Sequence, residues 1–351
     1  MGTYRSLLLG CGPRALEHAD VYRDIPNMDM VACVDLIPER VSDFQTKFGI
    51  PQGFGDYEEA LDKVRPDVVH AVTMPTQRVW EAELAAAYGV KALVVEKPMA
   101  VKPSDIAGLE AVQQRTGMEI IVNCQRRYFP QFRDGVINDI VHNKLGDLYF
   151  VRASTKGSSM AMGPHTMDLR QMFLGDEPPL SVWAMGYEIW EPVPGQHDYR
   201  DSHLSPLHLL AEYWFPNDIR VIFDSSEDAL GTPGETNFWM HLHFDFLGSK
   251  GRLYLTQNGG YWWQAEGMAQ PEHGPSSWDQ QGWQGQRDFT AAVADTLDGK
   301  KPHLNRFQTG RNVVHALLAA QQSIYAGKRV DLPLDFSDEQ WSELRERLRG
   351  K

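Results

Sequence analysis

Short apolar runs alternate with longer amphipathic stretches through the first third of the chain. Residues 4–9, 30–34, 68–72, 92–95 and 120–123 are dense in aliphatic side chains and of strand length. Runs of this kind, apolar on both faces, suit strands buried between two layers. Between them, residues 13–22, 41–48, 57–64, 77–88 and 104–116 carry apolar positions at helical spacing. Ser104 stands where an N-cap is wanted, and Gly89 where a helix should stop. Strand and helix taking turns in this way predict an α/β domain built on a doubly wound parallel sheet.

Beyond Asn123 the pattern changes. A helix is predicted over 131–143 and a strand over 148–155, and strands then dominate from Ser181 to Leu255. Residues 238–246 alternate strictly: Phe238, Met240, Leu242, Phe244 and Phe246 share one face, and Trp239, His241, His243 and Asp245 the other. Helices over 286–297, 309–325 and 337–348 close the chain. Two regimes of pattern predict two domains, 1–124 and 125–351, the second of α+β type.

Composition narrows the function. The 351 residues are too many for one small core, and 42% hydrophobic with 23% charged side chains is an ordinary globular balance. A net charge of −13 argues against nucleic acid or an anionic membrane as the main partner. No apolar run approaches the roughly 20 residues needed to span a bilayer. Leu7-Leu8-Leu9 is too short for the core of a secretory signal. The opening Met1-Gly2-Thr3-Tyr4-Arg5-Ser6 fits a myristoylation pattern, but it leads into a strand that must be buried. Cys11, Cys33 and Cys124 all lie in or beside strand-like segments, as reduced core thiols would. A cytoplasmic location is expected.

Chemistry enters at the first turn. Gly10-Cys11-Gly12-Pro13-Arg14-Ala15 follows the first strand and opens a helix. This is the G-x-G-x-x-A form of the dinucleotide loop: Gly10 for the tight turn, Gly12 for close approach of the backbone to a pyrophosphate, Ala15 for close packing of helix on strand. Pro13 and Arg14 fall within the same loop. Asp35 ends the second strand about 20 residues later, where the fingerprint places a carboxylate on the ribose hydroxyls. An acid there, with Leu36 next and no arginine beside it, favours NAD over NADP. Thr73 and Pro75, after the third strand, and Glu96 and Lys97, after the fourth, stand at the same edge of the sheet and are expected as further cofactor contacts. Val94-Val95-Glu96-Lys97-Pro98 delivers an acid and a base at the carboxyl end of a strand, the edge at which open parallel sheets bind ligands.

Taken in order, the glycine loop, the acid after the second strand, Pro75 after the third and Glu96-Lys97-Pro98 after the fourth resemble the Gfo/Idh/MocA oxidoreductases, named for glucose-fructose oxidoreductase and inositol dehydrogenase. The resemblance implies a Rossmann domain followed by a domain with a large, mostly antiparallel open sheet. It implies that Lys97 sits between the nicotinamide ribose and the reacting hydroxyl of a sugar or polyol, and that the Lys97–Pro98 bond is cis. It also implies a homodimer or homotetramer formed through the second sheet. Arg127 and Tyr128 match a common arginine-aromatic pair and become substrate contacts. Gly163, His165 and Asp168 match three positions of an Asp-x-Gly-x-His-x-x-Asp pattern, which makes His165 a second catalytic residue and Asp168 its partner.

Two positions depart from the family pattern. Val79 stands where a histidine is usual, and Ala161 where the first acid of the second motif belongs. The polar segment 195–203 offers Asp201 and His203 as replacements for that acid, or is an exposed loop. Segment 258–283 holds Trp262, Trp263, Trp278 and Trp283 among Gly, Gln and Ser, and reads either as a carbohydrate-lining loop or as an arm packed on a neighbouring subunit. His241 and His243 do not amount to a metal site, because the redox chemistry implied needs no metal. The expected function is NAD-dependent hydride transfer to or from a hydroxyl of a sugar, sugar derivative or cyclitol. The alternatives are a glycoside hydrolase that uses NAD through transient oxidation, elimination and re-reduction, and a non-catalytic dinucleotide-sensing regulator, which Ala161 would suit.

Overall fold

Six strands, β1 (Tyr4–Leu9), β2 (Met28–Val34), β3 (Gln52–Phe54), β4 (Val68–Ala71), β5 (Ala92–Glu96) and β6 (Glu119–Asn123), lie parallel in the order β3-β2-β1-β4-β5-β6. The order reverses between β1 and β4, which opens a crevice at their carboxyl ends for a ligand. In the computed structural model, residues 3–192, 198 and 200–349 are described. They fall into two compact units. The first comprises Met1–Ala100, Asp105–Tyr128 and Gly282–Gly310; the second comprises Val101–Ser104, Phe129–Gln281 and Arg311–Lys351.

The doubly wound sheet belongs to the first unit, and β4 and β5 are buried along their whole length. That is why their sequences are continuously apolar instead of alternating. Part of the core is supplied from far along the chain: Phe289, Val293 and Ala294 pack with Val21, Tyr22, Val68, Val94 and Ile121. The three cysteines are buried, and none is in a disulfide among the described residues.

The second unit is built on nine strands in the order β14-β13-β12-β11-β7-β10-β9-β8-β15. They are β7 (Leu148–Lys156), β8 (Ser181–Ile189), β9 (Pro206–Trp214), β10 (Arg220–Ser226), β11 (Leu242–Gly248), β12 (Gly251–Thr256), β13 (Tyr261–Ala265), β14 (Glu272–Gly274) and β15 (Val330–Asp331). Among the described residues of this sheet only β7 and β10 pair in parallel; the remaining ladders are antiparallel. One face is closed by the helix Gly163–Leu174, whose Phe173 meets Phe246 edge-on at 5.4 Å. Each fully buried aromatic of this kind contributes about 2–3 kcal/mol of transfer free energy. The α/β class and the large, mostly antiparallel second sheet are as expected.

Several local expectations need correction. The first helix is short, Ala15–Asp20, followed by a 3-10 turn, Val21–Asp24, so Pro13 precedes the helix and does not lie in its first turn. Ser104 lies inside the helix Pro103–Thr116, and its hydroxyl bonds Asp338. The helix expected over 131–143 is broken into Pro130–Arg133, Val136–Asp139 and a π-turn, Ile140–Lys144, with an extended Gly135 between the first two. Only the second half of 238–246 is a strand. Asn237 accepts the N–H of Trp239 and winds Phe238–Met240 into a 3-10 turn before β11 begins. Trp262 and Trp263 lie on a strand, β13, and the helix expected from 286 already begins at Trp278. The segment 193–197 and residue 199 lie outside the described residues. No described helix is long and apolar enough to cross a membrane.

Candidate active site

β1 ends in the turn that the glycines require. Gly10 has φ +90°, and a Cβ there would lie 2.5 Å from the carbonyl oxygen of Val72, so no side chain fits. At Gly12 the same construction meets nothing within 4 Å. The two glycines therefore serve different ends, one to let the chain pass β4, the other to leave open space over the loop. Ala15 is fully buried at the start of the helix. Asp35, just past β2, accepts the Cys11 N–H through Oδ2 and the Ile37 N–H through Oδ1, at 2.8 and 2.9 Å. Arg40 Nη1 lies 3.8 Å from Oδ2, an arginine near this carboxylate that the sequence reading had not placed there. An open glycine loop, a carboxylate tied to it and a sheet reversal alongside together fit a dinucleotide.

The loop after β4 is held by a residue that sequence reasoning missed. Arg78 donates from Nη2 to the Thr73 carbonyl at 2.8 Å and to the Glu96 carbonyl at 3.4 Å, and from Nη1 to the Thr73 hydroxyl and to Glu81. The Arg78–Glu81 pair is almost wholly excluded from solvent. Pro75 is buried in the short turn Pro75–Gln77. Val79, in place of the expected histidine, faces Gly108: a Cβ at Gly108 would come within 2.9 Å of Val79 Cγ1.

At the end of β5, Glu96 is the centre of a buried polar cluster. Its Oε1 accepts from Arg14 Nε at 2.7 Å, His18 Nε2 at 3.0 Å and Asn123 Nδ2 at 2.8 Å; its Oε2 accepts the Lys97 N–H at 3.2 Å. Gln286 accepts from both Arg14 and Asn123, each at 3.2 Å. Burial alone would favour the neutral acid. The Arg14 guanidinium, the His18 hydrogen bond and Lys97 outweigh it and hold Glu96 well below the usual carboxylate range. Lys97 follows in a cis peptide bond to Pro98. Burial lowers its ammonium, Glu96 raises it, and Arg126 and Arg14 lower it again; the result is pushed down to about 8. A lysine so placed exchanges a proton near neutral pH, as an ordinary surface lysine does not.

Arg127 is buried in the turn Gln125–Tyr128. Tyr128 is buried too, with its ring edge-on to Phe289 at 5.6 Å and its hydroxyl accepting the Leu304 N–H at 3.0 Å.

In the second unit, His165 and Asp168 lie in the helix Gly163–Leu174, both buried, and Ala161 before it is fully buried. Asp201 lies in the short helix Arg200–His203 and accepts from Trp190 Nε1 at 2.8 Å and the Asp198 N–H at 2.9 Å, while His203 is buried at its end. His241 and His243 both bond Thr232, at its N–H and its hydroxyl, each 2.9 Å away.

The residues that the sequence did not single out are His18, His70, Arg78, Asn123 and Gln286. One signal was available: a histidine inside the apolar run Val68-Val69-His70-Ala71 has to find a partner.

Residues 4–124 match the family described as "Oxidoreductase family, NAD-binding Rossmann fold". Among curated proteins, the chain is 28% identical over 191 residues to the D-apiose dehydrogenase of Paraburkholderia graminis, covering 49% of this chain and 50% of that one. It is 30% identical over 168 residues to the trans-1,2-dihydrobenzene-1,2-diol dehydrogenase of Sus scrofa, covering 47% and 49%. The chain thus spans about half the length of the curated relatives it matches. Among solved structures, a levoglucosan dehydrogenase in complex with NADH and levoglucosan superposes with a TM-score of 0.78 at 13% identity, covering 95% of this chain and 100% of that one. An oxidoreductase from Agrobacterium radiobacter in complex with NAD+, L-tartaric acid and magnesium gives 0.77 at 18%, covering 93% and 98%. These two likenesses concern the fold.

Proposed function

We propose that this chain, whose residues 4–124 match the Gfo/Idh/MocA family of NAD-binding oxidoreductases, is an NAD-dependent dehydrogenase acting on a hydroxyl of a sugar, sugar derivative or cyclitol. The observation that carries the reading is Lys97, half-buried beside the buried Glu96 at the ligand-binding edge of the sheet and pushed down to about 8. In the oxidising direction, the neutral amine takes the hydroxyl proton as hydride leaves the same carbon and a carbonyl forms. In the reducing direction the ammonium returns that proton. Bound NAD supplies the hydride acceptor. The glycine loop would hold its pyrophosphate, Asp35 its ribose hydroxyls, and the Thr73–Pro75 turn the wall beside it. His165 is the second acid/base, assigned through its sequence motif with Asp168 as its partner. Arg127, Tyr128, Asp201 and His203 remain proposed substrate contacts.

The substrate class draws on the names of the relatives, which specify a sugar in one case and a cyclic diol in the other. The test is NADH formation, followed optically, on a panel of pentoses, hexoses, anhydrosugars, cyclitols and cyclic diols. Turnover of none of them by the purified protein would overturn the assignment.

We extend the proposal to a homodimer or homotetramer. On β8, Trp183, Met185 and Tyr187 alternate onto one face and are exposed; Leu210 of β9, paired with Met185, is exposed on the same face. An apolar strip of this kind on a sheet suits contact with a second copy. Light scattering that returned the mass of one chain at micromolar concentration would refute it.

A further inference from the structure

Behind Glu96 a line of hydrogen bonds runs into the core of the first unit. Tyr22 Oη lies 2.7 Å from His70 Nε2, His70 Nδ1 lies 3.1 Å from His18 Nδ1, and His18 Nε2 lies 3.0 Å from Glu96 Oε1. Both histidines are completely buried, and Tyr22 nearly so. Three elements contribute: the helix after the glycine loop, the 3-10 turn after it, and β4. The dinucleotide contacts do not account for this line.

The proton positions follow from the end of the line. Asn123 Nδ2 also lies 2.9 Å from His18 Nε2, but its two hydrogens go to Glu96 Oε1 and Gln286 Oε1. Glu96 is ionised and only accepts, so His18 Nε2 carries a hydrogen for it. Burial lowers the pKa of His18 despite its bond to Glu96, and burial with His18 alongside lowers that of His70 well below the usual value. Both rings are therefore neutral, with one N–H each. His18 Nδ1 is then an acceptor, and it needs the hydrogen of His70 Nδ1. His70 Nε2 is in turn an acceptor, filled by the Tyr22 hydroxyl. Each partner leaves the next only one tautomer.

We propose that Tyr22, His70 and His18 form a buried tautomer relay that positions the Glu96 carboxylate against Lys97, making all three positioning residues for the proton transfer at Lys97. The proposal rests on the dehydrogenase reading only for its effect on turnover. Groups that face Glu96 besides His18 are Arg14, Asn123 and Lys97, and Arg126 acts on Lys97 as well. With the relay cut, Arg14 still holds the carboxylate in the core, but its direction is no longer fixed. Glu96 then raises Lys97 less, and the Lys97 titration moves down.

The experiment has two arms. The first is nitrogen NMR of ring-labelled histidine in the full chain, with His18 and His70 assigned from His18→Gln and His70→Gln. Expected are an Nε2–H tautomer at His18 and an Nδ1–H tautomer at His70, and averaging of the His70 shifts in Tyr22→Phe. The opposite tautomers, or no change in Tyr22→Phe, overturn the relay whether or not the protein turns over any sugar. The second arm is the pH profile of NADH formation. Tyr22→Phe and His18→Leu should move its midpoint down by about half a pH unit or more. His18→Gln, which still offers a donor to Glu96 and an acceptor to His70, should keep the wild-type midpoint, and NAD affinity should hold in all three. Coincident profiles in Tyr22→Phe, His18→Leu and wild type would refute the positioning role. Failure of the wild type to oxidise any substrate would instead refute the dehydrogenase reading and leave the first arm to decide.

Discussion

The carboxylate of Asp35 accepts the backbone N–H of Cys11 at 2.8 Å. One side chain thus shapes the glycine loop and is also the group proposed to hold the ribose. Asp35→Ala removes both, and hydrogen bonds to a charged group are worth about 1.5–3 kcal/mol, so NAD affinity should fall roughly 10- to 100-fold. Asp35→Asn removes the charge and keeps one acceptor, for the Cys11 or the Ile37 N–H but not both, so it should weaken NAD less than Asp35→Ala and narrow the gap to NADP. Calorimetric titration of each variant with both dinucleotides checks this.

Replacing Lys97 by Met should cost far more in turnover than in NAD binding. Loss of a positioned general acid/base costs about 100- to 10,000-fold in turnover. Single-turnover measurement of NADH formation at saturating cofactor separates the two effects. Turnover within tenfold of wild type would remove Lys97 from the chemistry.

Turnover in the oxidising direction should rise with pH through a midpoint near 8, because the neutral amine is the form that takes the proton and Lys97 is pushed down to about 8. Glu96 is the neighbour that raises it. Glu96→Gln should therefore shift the midpoint downward, with activity retained at lower pH relative to that variant's own maximum. An upward shift would contradict the electrostatics described for the site.

Arg78→Ala would leave the Glu81 carboxylate with no cation beside it and only the Thr73 hydroxyl as a donor, at a site almost closed to solvent. Breaking a buried pair from one side costs about 3–5 kcal/mol. Urea unfolding should show that loss, and substitution of both residues by well-packed apolar ones should recover much of it.

Much of this was legible in the sequence because it is local. A continuous apolar strand, a glycine turn and an acid at the next strand end lie close enough in sequence to be read as one motif, and Lys97 stands out by what precedes it. The relay was not legible, because residue 18 meets residue 70 only through the pairing of β1 with β4 and the packing of a helix across them. The π-turn at Ile140–Lys144 and the 3-10 turn at Phe238–Met240 escaped for the opposite reason. There a backbone bend or a single Asn cap overrode an apolar spacing that suited a regular element equally well. Gln286 was beyond reach for want of any sign that its helix belongs with the first sheet.

That helix has a consequence for how the protein is made. Phe289, Val293 and Ala294 complete the core beneath β4, β5 and β6, and Gln286 and Leu304 bond residues of the first 128. A ribosome that has released only the Rossmann stretch has therefore delivered an unfinished core, with apolar surface waiting for a segment still more than 150 residues away in the nascent chain. A gene cut after the last parallel strand would leave that core open, and in the cell the unit is completed only once residues 282–310 have been made.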